Sequence, residues 1–276
     1  MSYSDSPSVL NPRGDVGILT LTTDFGMRDG YVGSMKGVIL GIAPNTMLVD
    51  ISHEMTPQDV MEGSYVVASA FACYPKGTVH LVVVDPGVGS NRRGIVVETS
   101  NHWFVAPDNG VLSAIFFRHA CYRVFSIENA LYFREPVSPT FHGRDIFAPV
   151  AAAILNGENV SEFGPVVKDP VMLDPWQVEV EQGFVEGYVV HVDRFGNCVT
   201  QIRGKDLDRA GLAANACLVT VGDHNLKGIG HTYSDVQSGK PIALFGSGDT
   251  LEIAVNAGSA AEWMGIARGY RVKLQR

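Results

Sequence analysis

The sequence predicts an α/β fold: an N-terminal α/β sandwich-like domain with a mostly parallel sheet, followed by a smaller C-terminal β-barrel domain. Two observations predict this arrangement. In the first half, short runs of β-branched residues alternate with longer helix-like segments, which is typical of a parallel sheet covered by helices. In the second half, short strands follow one another with turn residues between them, which favours a small barrel or sandwich.

The first domain alternates strands and helices from its beginning. The predicted strands are Val16–Thr22, Met47–Ile51, Val79–Val84, the hairpin Gly94–Thr99 and Trp103–Ala106, and Tyr122–Ser126. The predicted helices are Tyr31–Ile42, Val60–Cys73, Gly110–Arg118 and Gly143–Leu155. The strands are rich in β-branched and aromatic residues, and the last helix starts at a glycine and contains three consecutive alanines.

The pattern changes near residue 160. Val166–Gln182 contains two prolines and alternating charges, which is typical of a linker. The strands predicted beyond it are Gly187–Val192, Cys198–Gln201, Leu218–Val221, Pro241–Phe245, Leu251–Val255 and Tyr270–Leu274. We therefore expect an N-terminal domain at residues 14–165, a linker at 166–182 and a C-terminal domain at 183–276.

Composition and charge argue against several classes of protein. The net charge of −8 disfavours a nucleic-acid partner, because phosphate-backbone binders present clustered lysines and arginines. The four cysteines form no CxxC pair, so we expect no metal site and reduced thiols in the cytoplasm. No apolar run approaches about 20 residues and the first dozen residues lack a secretory apolar core, so we expect no membrane association.

The most informative segment lies at the end of the strand Val79–Val84. Asp85 is followed by Pro-Gly-Val-Gly-Ser and then by Arg92 and Arg93. Ligands of open α/β sheets bind outside the carboxyl ends of the strands, and proline and glycine allow a sharp turn close to a ligand. The segment indicates a functional site, and on its own an ordinary turn with solvated charges remains the alternative.

Other polar residues lie at predicted strand and helix ends. Asp24 lies at the end of the first strand and suits a ribose diol, because each carboxylate oxygen accepts a hydroxyl hydrogen bond. The alternative is that Asp24 only forms part of a turn. Asp29 precedes a helix, where capping is the alternative. Asn109 offers a donor and an acceptor to a ligand or to a turn. His142, beside glycine, arginine and aspartate, suits a catalytic corner or a helix-capping loop.

The second domain carries a similar segment between two predicted strands. Asp193 and Asn197 flank an arginine, Phe195 and a glycine. A tight hairpin explains the glycine and asparagine without any ligand. Alternatively, Asp193 holds the ammonium of a ligand and Phe195 supplies an apolar contact.

Taken in order, these segments resemble the adenosine-forming S-adenosyl-L-methionine (SAM) hydrolases, also called SAM hydroxide adenosyltransferases. This family is related to fluorinating and chlorinating enzymes that attack the same substrate. The likeness runs from about Ile18 to Val272. The motifs that carry it are TTDFG, TPQDV, VDPGVGS, APDNG, FHGRDIFAP, DRFGN and IAVN. No single motif is diagnostic, but the ordered set is specific.

The resemblance implies an α/β domain and a β-barrel domain, a homotrimer with sites at subunit interfaces, and hydrolysis of SAM to adenosine and methionine. Asp85, Arg92 and His142 match the catalytic set of the hydrolases. Asp24 matches the ribose-binding aspartate. No cofactor and no metal are implied, because SAM is the substrate itself.

The remaining matches concern the other parts of the substrate. Asp29, Asp193, Asn197 and Ser247 match positions around methionine, and Phe195 and Tyr233 match the surroundings of adenine and the sulfonium. We add Asn109 as a further substrate-binding candidate.

Two departures and two rival functions accompany the resemblance. Phe245 and Gly246 precede Ser247, where many relatives have asparagine before the serine, and Gln58 stands where the fluorinating relative has tryptophan. A halogenase is one rival, and Asp85 opposes it because a halide pocket needs donors and no facing carboxylate. A non-catalytic protein that binds a nucleoside or SAM is the other rival.

Overall fold

The computed structural model describes residues 16–118, 122–173 and 177–276. The chain divides after Leu173 into two compact units. The first contains a six-stranded mixed sheet between helices, and the second contains an antiparallel sheet that nearly closes into a barrel. The predicted fold class is confirmed.

The sheet of the first unit has the strand order β2-β1-β3-β5-β4-β6. The strands are β1 (Gly17–Thr23), β2 (Thr46–Ser52), β3 (Thr78–Val83), β4 (Gly94–Thr99), β5 (His102–Pro107) and β6 (Tyr122–Ser126). β1 is parallel to β2 and β3, and β3 is parallel to β5. β4 is antiparallel to both of its neighbours, so the other five strands run in one direction.

Helices cover both faces of this sheet. The helices are α1 (Tyr31–Ile42), α2 (Val60–Ala70), α3 (Ser113–Arg118) and α4 (Ala148–Leu155). Leu81 and Val83 of β3 belong to the core under α1 and α4. Val82 and the following Val84 belong to the core under α2 and α3. Because both faces are covered, β3, β4 and β5 are buried at every residue.

Two helices of the first unit are shorter than predicted. The segment Val60–Cys73 is α-helical only to Ala70 and ends in a 3₁₀ turn at Phe71–Cys73. The predicted helix from Gly110 begins only at Ser113. Gly110 has a φ of +94°, which a right-handed helix does not allow.

The predicted helix Gly143–Leu155 consists of a π-helical turn at Gly143–Phe147 followed by α4. Pro149 lies in the first turn of α4 and has no N–H to donate to the carbonyl of Asp145. The backbone N–H of Arg134 donates to that carbonyl instead, at 2.8 Å. The π-helical turn is thus joined to the segment that precedes it.

The sheet of the second unit has the order β11-β10-β14-β8-β9-β13-β12, with β7 paired to β8. The strands are β7 (Glu179–Glu181), β8 (Phe184–Val192), β9 (Cys198–Thr200), β10 (Leu218–Val221), β11 (His224–Lys227), β12 (Pro241–Phe245), β13 (Leu251–Val255) and β14 (Arg271–Gln275). Gly230, which follows β11, pairs with Leu244 of β12 and brings the two edges together.

In the described part of this unit, two short strands and two short α-helices were not predicted. They are β7, β11, α5 (Gly204–Ala210) and α6 (Ala260–Met264). β7 lies inside the segment 166–182 that we expected as a linker, and it pairs with β8. Elements of three to seven residues give little periodicity to detect. Both helices end at left-handed glycines, Gly211 and Gly265.

None of the helices in the described ranges combines the length and hydropathy needed to cross a bilayer.

A pair of buried histidines lies within the first sheet. Nδ1 of His80 is 2.8 Å from Oγ1 of Thr20, and Nε2 is 3.3 Å from Nδ1 of His102. The His80 ring stacks on Phe104 at a centroid distance of 4.8 Å. Burial, and to a lesser extent the charge of His102, lowers the pKa of His80 to about 3.

This pKa predicts loss of stability in mild acid. Below its ordinary value of 6.5, the unfolded chain binds a proton on His80, whereas the folded chain does not until about pH 3. The free energy of unfolding therefore falls as the pH drops through this window, by up to about 1.4 kcal/mol per pH unit from this group. Denaturant unfolding of wild type and His80→Asn between about pH 6.5 and pH 4.5 measures it. We expect a shallower slope for the variant, and equal slopes would contradict the assignment.

Candidate active site

The segment after β3 forms a compact turn against a second loop. The carbonyl of Gly87 accepts both the backbone N–H and the hydroxyl of Ser90, at 3.1 and 2.6 Å. Gly89 has a φ of +78°, and a Cβ there would lie 2.4 Å from the carbonyl oxygen of Pro139. Glycine is required for this approach, which holds the segment before His142 against the turn.

Three residues predicted as catalytic meet at this turn. Nε of Arg92 donates to both carboxylate oxygens of Asp85, at 2.9 and 3.0 Å, and Nη2 donates to Asp85 as well. The same Nη2 lies 2.9 Å from Nδ1 of His142. The Arg92 guanidinium also lies 5.1 Å from the centre of the Phe147 ring. The Asp85 side chain is 5% exposed and that of Arg92 12%, so solvent screens the pair weakly.

The contact with Arg92 fixes the tautomer of His142. A guanidinium has donors and no acceptor, so Nδ1 must accept the hydrogen bond, and the proton of the neutral ring lies on Nε2. Burial and the charge of Arg92 lower the pKa of His142, against the opposing charges of Asp85 and Asp145. The ring therefore has an Nε2–H donor, and its Nδ1 lone pair is occupied.

A buried carboxylate holds the loop that carries His142. Asp145 is fully buried and accepts hydrogen bonds from Nε and Nη2 of Arg144 at 2.7 and 2.8 Å. It also accepts from Arg134 at 3.1 Å and from the backbone N–H of Ser138 at 2.9 Å. Burial alone would raise the pKa of Asp145, but these donors outweigh it and lower the pKa.

Asp24 follows β1 and is held by a neighbouring loop. Its Oδ2 accepts the backbone N–H of Gln58 at 2.7 Å, and the N–H of Gly26 donates to the carbonyl of His53 at 2.7 Å. Gln58 has a φ of +67°, a strained conformation for a non-glycine residue. Asp29 is exposed, and it does not cap α1, because Gly30 is the N-cap residue.

Aromatic contacts join the Asp24 loop to the His142 loop. The ring of Phe25 lies 5.9 Å from that of Phe141, and Tyr31 lies 6.0 and 5.4 Å from these two rings. All three pairs have edge-to-face geometry, which is favourable for aromatic rings. Asp24 and His142 are therefore each next to a residue of the same aromatic cluster.

Asn109 joins two loops at the carboxyl edge of the sheet. Its Nδ2 donates to the carbonyl of Val84 at 2.8 Å, and its Oδ1 accepts the N–H of Val111 at 3.1 Å. Val84 immediately precedes Asp85. Both ends of the amide are thus engaged within the protein, which matches the turn-forming alternative, and its contact with substrate stays a prediction.

In the second unit, the segment between β8 and β9 is a tight turn. Oδ1 of Asp193 accepts the backbone N–H groups of Phe195 and Asn197, both at 2.9 Å, and Oδ2 accepts the Asn197 side chain at 2.9 Å. Gly196 has a φ of +80°, and a Cβ there would lie 2.1 Å from Oγ of Ser259. Phe195 is 76% exposed at the tip of the turn. The turn explains these residue types locally and leaves the Phe195 ring available for a contact.

Tyr233 lies beside a half-buried carboxyl group that we had not predicted as part of the site. Its hydroxyl is 3.1 Å from Oε2 of Glu252. Burial and the charge of Asp193 raise the pKa of Glu252, against the hydrogen bond from Tyr233. A Cβ at position 246 would lie 1.8 Å from Oε1 of Glu252, so any larger residue there would displace the Glu252 side chain. Ser247 is exposed in the turn that follows.

Sequence reasoning missed Asp145, Glu252 and His53, the histidine whose ring contacts Thr23, the residue before Asp24. Asp145 was noted only as a neighbour of His142. Glu252 lies in a predicted strand where an acidic residue looks like part of a solvated face. A lone histidine such as His53 carries no spacing that would distinguish it.

Comparisons with known proteins agree along the chain. Residues 19–164 match the SAM hydroxide adenosyltransferase N-terminal domain, and residues 187–273 match the C-terminal domain of the same family. A relative from Thermus thermophilus, named (R)-S-adenosyl-L-methionine hydrolase, is 37% identical over 91% of this chain and 97% of its own length. A fluorinase from an Actinoplanes species is 26% identical over 94% of this chain and 97% of its own length.

A solved structure has the same fold. The crystal structure of an uncharacterized conserved protein from Thermotoga maritima superposes with a TM-score of 0.88 at 37% sequence identity. The match covers 94% of this chain and all of that one.

The buried Asp145 leads to a prediction about stability. In Asp145→Asn, the charge that the two arginines contact is lost, and we expect the free energy of unfolding to fall by about 1.5–3 kcal/mol. Asp169→Asn is the matched control, because Asp169 also pairs with an arginine, Arg93, but is mostly exposed. Urea unfolding measures both variants. We expect no measurable change in the control, and equal effects in the two variants would contradict the anchoring role of Asp145.

Proposed function

We propose that this chain, which belongs to the SAM hydroxide adenosyltransferase family, hydrolyses SAM to adenosine and L-methionine. The observation that carries the proposal is the contact of Asp85, Arg92 and His142 at the carboxyl edge of the sheet. It pairs a buried carboxylate with an oriented N–H donor, which together suit a water molecule. The identity to named hydrolases exceeds the identity to named fluorinases, which supports water rather than halide as nucleophile.

The chemistry requires a positioned nucleophile more than it requires a strong acid. The oxygen of water forms a bond to C5′ of the ribose while the bond from C5′ to sulfur breaks. The electron pair of the broken bond stays on sulfur, so methionine leaves as a neutral thioether. Holding water in line with the breaking bond makes the step effectively unimolecular.

Each of the three residues has a distinct task in this proposal. Asp85 accepts the proton of the attacking water and later releases it to solvent. Arg92 fixes the orientation of the carboxylate and of the imidazole at the same time. His142 donates Nε2–H to the oxygen of the water molecule and holds that oxygen in line with C5′.

The remaining assignments come from the resemblance. Asp24 binds the ribose diol. The residues for the methionine part are Asp29, Asp193, Asn197 and Ser247, and those near adenine and the sulfonium are Phe195 and Tyr233. Asn109 is a further contact that we add because its amide offers a donor and an acceptor. The proposal includes a homotrimer with sites at subunit interfaces, a cytoplasmic location, and a reaction without metal or cofactor.

The first prediction concerns the products. Incubation of the protein with SAM and a chelator in oxygen-18-labelled water is expected to give equimolar adenosine and methionine, with the label in the 5′-hydroxyl group of adenosine. SAM separated into its two sulfonium epimers tests whether the (R) form named for the relative is preferred. Excess chloride or fluoride is the control and is expected to give no 5′-halo-5′-deoxyadenosine. Halogenated product, loss of activity on chelation, or binding without turnover would each reject this function.

The second prediction separates the two neighbouring arginines. Arg92→Lys is expected to lower kcat at least about hundredfold, because an ammonium cannot copy a guanidinium that contacts two partners. Arg93→Lys is the matched control, since Arg93 pairs with Asp108 and Asp169 instead. We expect its kcat to stay close to that of wild type. Single-turnover rates at saturating SAM provide the measurement. Equal losses of rate in the two variants would show that the contacts of Arg92 with Asp85 and His142 have no particular role in turnover.

His142 provides a further test of the same network. His142→Gln keeps an N–H donor at the end of the side chain but supplies no imidazole base, whereas His142→Ala keeps neither. If His142 acts as a donor, His142→Gln retains more turnover than His142→Ala. Equal loss in both variants would favour His142 as the proton acceptor.

A further inference from the structure

A continuous series of polar contacts runs behind Asp24, through the ends of β1 and β2. Oγ1 of Thr23 lies 2.7 Å from Nδ1 of His53. Nε2 of His53 lies 3.0 Å from Oδ1 of Asp50, whose other oxygen accepts Nζ of Lys36 at 2.6 Å. Thr23 is fully buried and His53 is 3% exposed, so water does not compete at this end of the series.

The chemistry of each member sets the direction of these hydrogen bonds. Burial acts to raise the pKa of Asp50, but the contacts with Lys36 and His53 outweigh it and lower the pKa. An ionised carboxylate has no proton to donate, so in the 3.0 Å contact the proton lies on Nε2 of His53, although the two atoms are not aligned as a hydrogen bond. In the neutral ring, Nδ1 then accepts the hydroxyl hydrogen of Thr23, and this in turn frees the Thr23 oxygen to accept.

The oxygen of Thr23 accepts from the loop that carries Asp24. The backbone N–H of Phe25 donates to Oγ1 of Thr23 at 3.3 Å. The Asp24 carboxylate itself accepts the backbone N–H of Gln58. Four residues before Gln58, the side chain of Glu54 accepts the backbone N–H of Met27 at 3.1 Å. The residues before and after Asp24 are therefore both tied to the segment that begins at the end of β2.

We propose that Thr23 and His53 are positioning residues that set the orientation of Asp24 for the ribose diol. This inference rests on the proposed function, because it takes Asp24 as the ribose ligand. Neither residue touches substrate. They act through the backbone of residues 23–25, by fixing the point at which the chain leaves β1.

The same strand contains a matched control. Thr20 is also fully buried, and its Oγ1 lies 2.8 Å from Nδ1 of another buried histidine, His80. Thr20→Val and Thr23→Val therefore remove the same kind of hydrogen bond from the same strand. Only Thr23 is next to Asp24 in the chain. If both threonines had only a structural role, the two substitutions would affect ligand binding equally.

The experiment compares adenosine affinity and stability in four proteins. Calorimetric titration with adenosine is expected to give a Kd raised roughly tenfold in Thr23→Val, close to wild type in Thr20→Val, and largely restored in Thr23→Ser. Urea unfolding of the same proteins measures the stability lost in each. At saturating SAM, we expect kcat of Thr23→Val to fall less than the affinity does, because the Asp85 network is untouched.

Amide hydrogen exchange supplies a readout that does not need a substrate. The Gln58 amide donates its hydrogen bond to Asp24 and not to Thr23, so its faster exchange in Thr23→Val, relative to Thr20→Val, reports a change in Asp24 itself. If Thr23→Val and Thr20→Val show equal Kd values and equal Gln58 exchange, the proposal is overturned.

The proposed function can fail separately from this inference. If wild type neither binds adenosine nor turns over SAM, the proposed function is rejected and Asp24 is not a ribose ligand. The amide exchange then still decides whether Thr23 positions the Asp24 loop. Faster exchange of the Gln58 amide in Thr23→Val but not in Thr20→Val supports that role.

Discussion

Parallel pairing of β1, β3 and β5 is the constraint on which the candidate site depends. Neighbouring parallel strands end at the same edge of the sheet, so residues that follow them are brought together regardless of their distance in sequence. Asp24 follows β1, Asp85 lies just beyond β3, and Asn109 lies just beyond β5. A one-residue slip in either pairing would move every side chain of the strand to the opposite face of the sheet and would separate these residues. The apolar cores on both faces oppose such a slip.

Arg92 converts this proximity into a defined arrangement. Its planar guanidinium reaches the Asp85 carboxylate with Nε and the His142 ring with Nη2, and Phe147 lies beneath it. Because a guanidinium only donates, the orientation of one side chain decides both the exposed edge of the carboxylate and the tautomer of the imidazole. The loop of His142 has its own anchor in Asp145, so the ring does not depend on Arg92 alone.

The sequence predicts those features that local composition determines. Tyr31–Ile42 is a helix with the bounds that its pattern predicts, and the β-branched run before Asp85 is the expected strand. The contact between Arg92 and His142 spans 50 residues, and no local pattern carries that information. Before the structure, only the resemblance to the family placed Arg92 and His142 in the same site. Thr23, just after the predicted strand Val16–Thr22, was noted only as part of the TTDFG motif, because no local pattern indicates its contact with His53.

The balance of charges around His142 separates the roles of the two residues that could take a proton from water. Burial and Arg92 favour the neutral ring, whereas the charges of Asp85 and Asp145 act to raise its pKa. Replacing Asp85 by asparagine removes one of the two charges that favour protonation, so the ring is driven further toward its neutral form. A loss of turnover in Asp85→Asn then does not come from a protonated His142. It reports the loss of the carboxylate, which acts either as the proton acceptor or as the partner that orients Arg92. If Arg92 keeps its contact with His142 in that variant, the orientation of Arg92 is intact, and the lost function is that of proton acceptor.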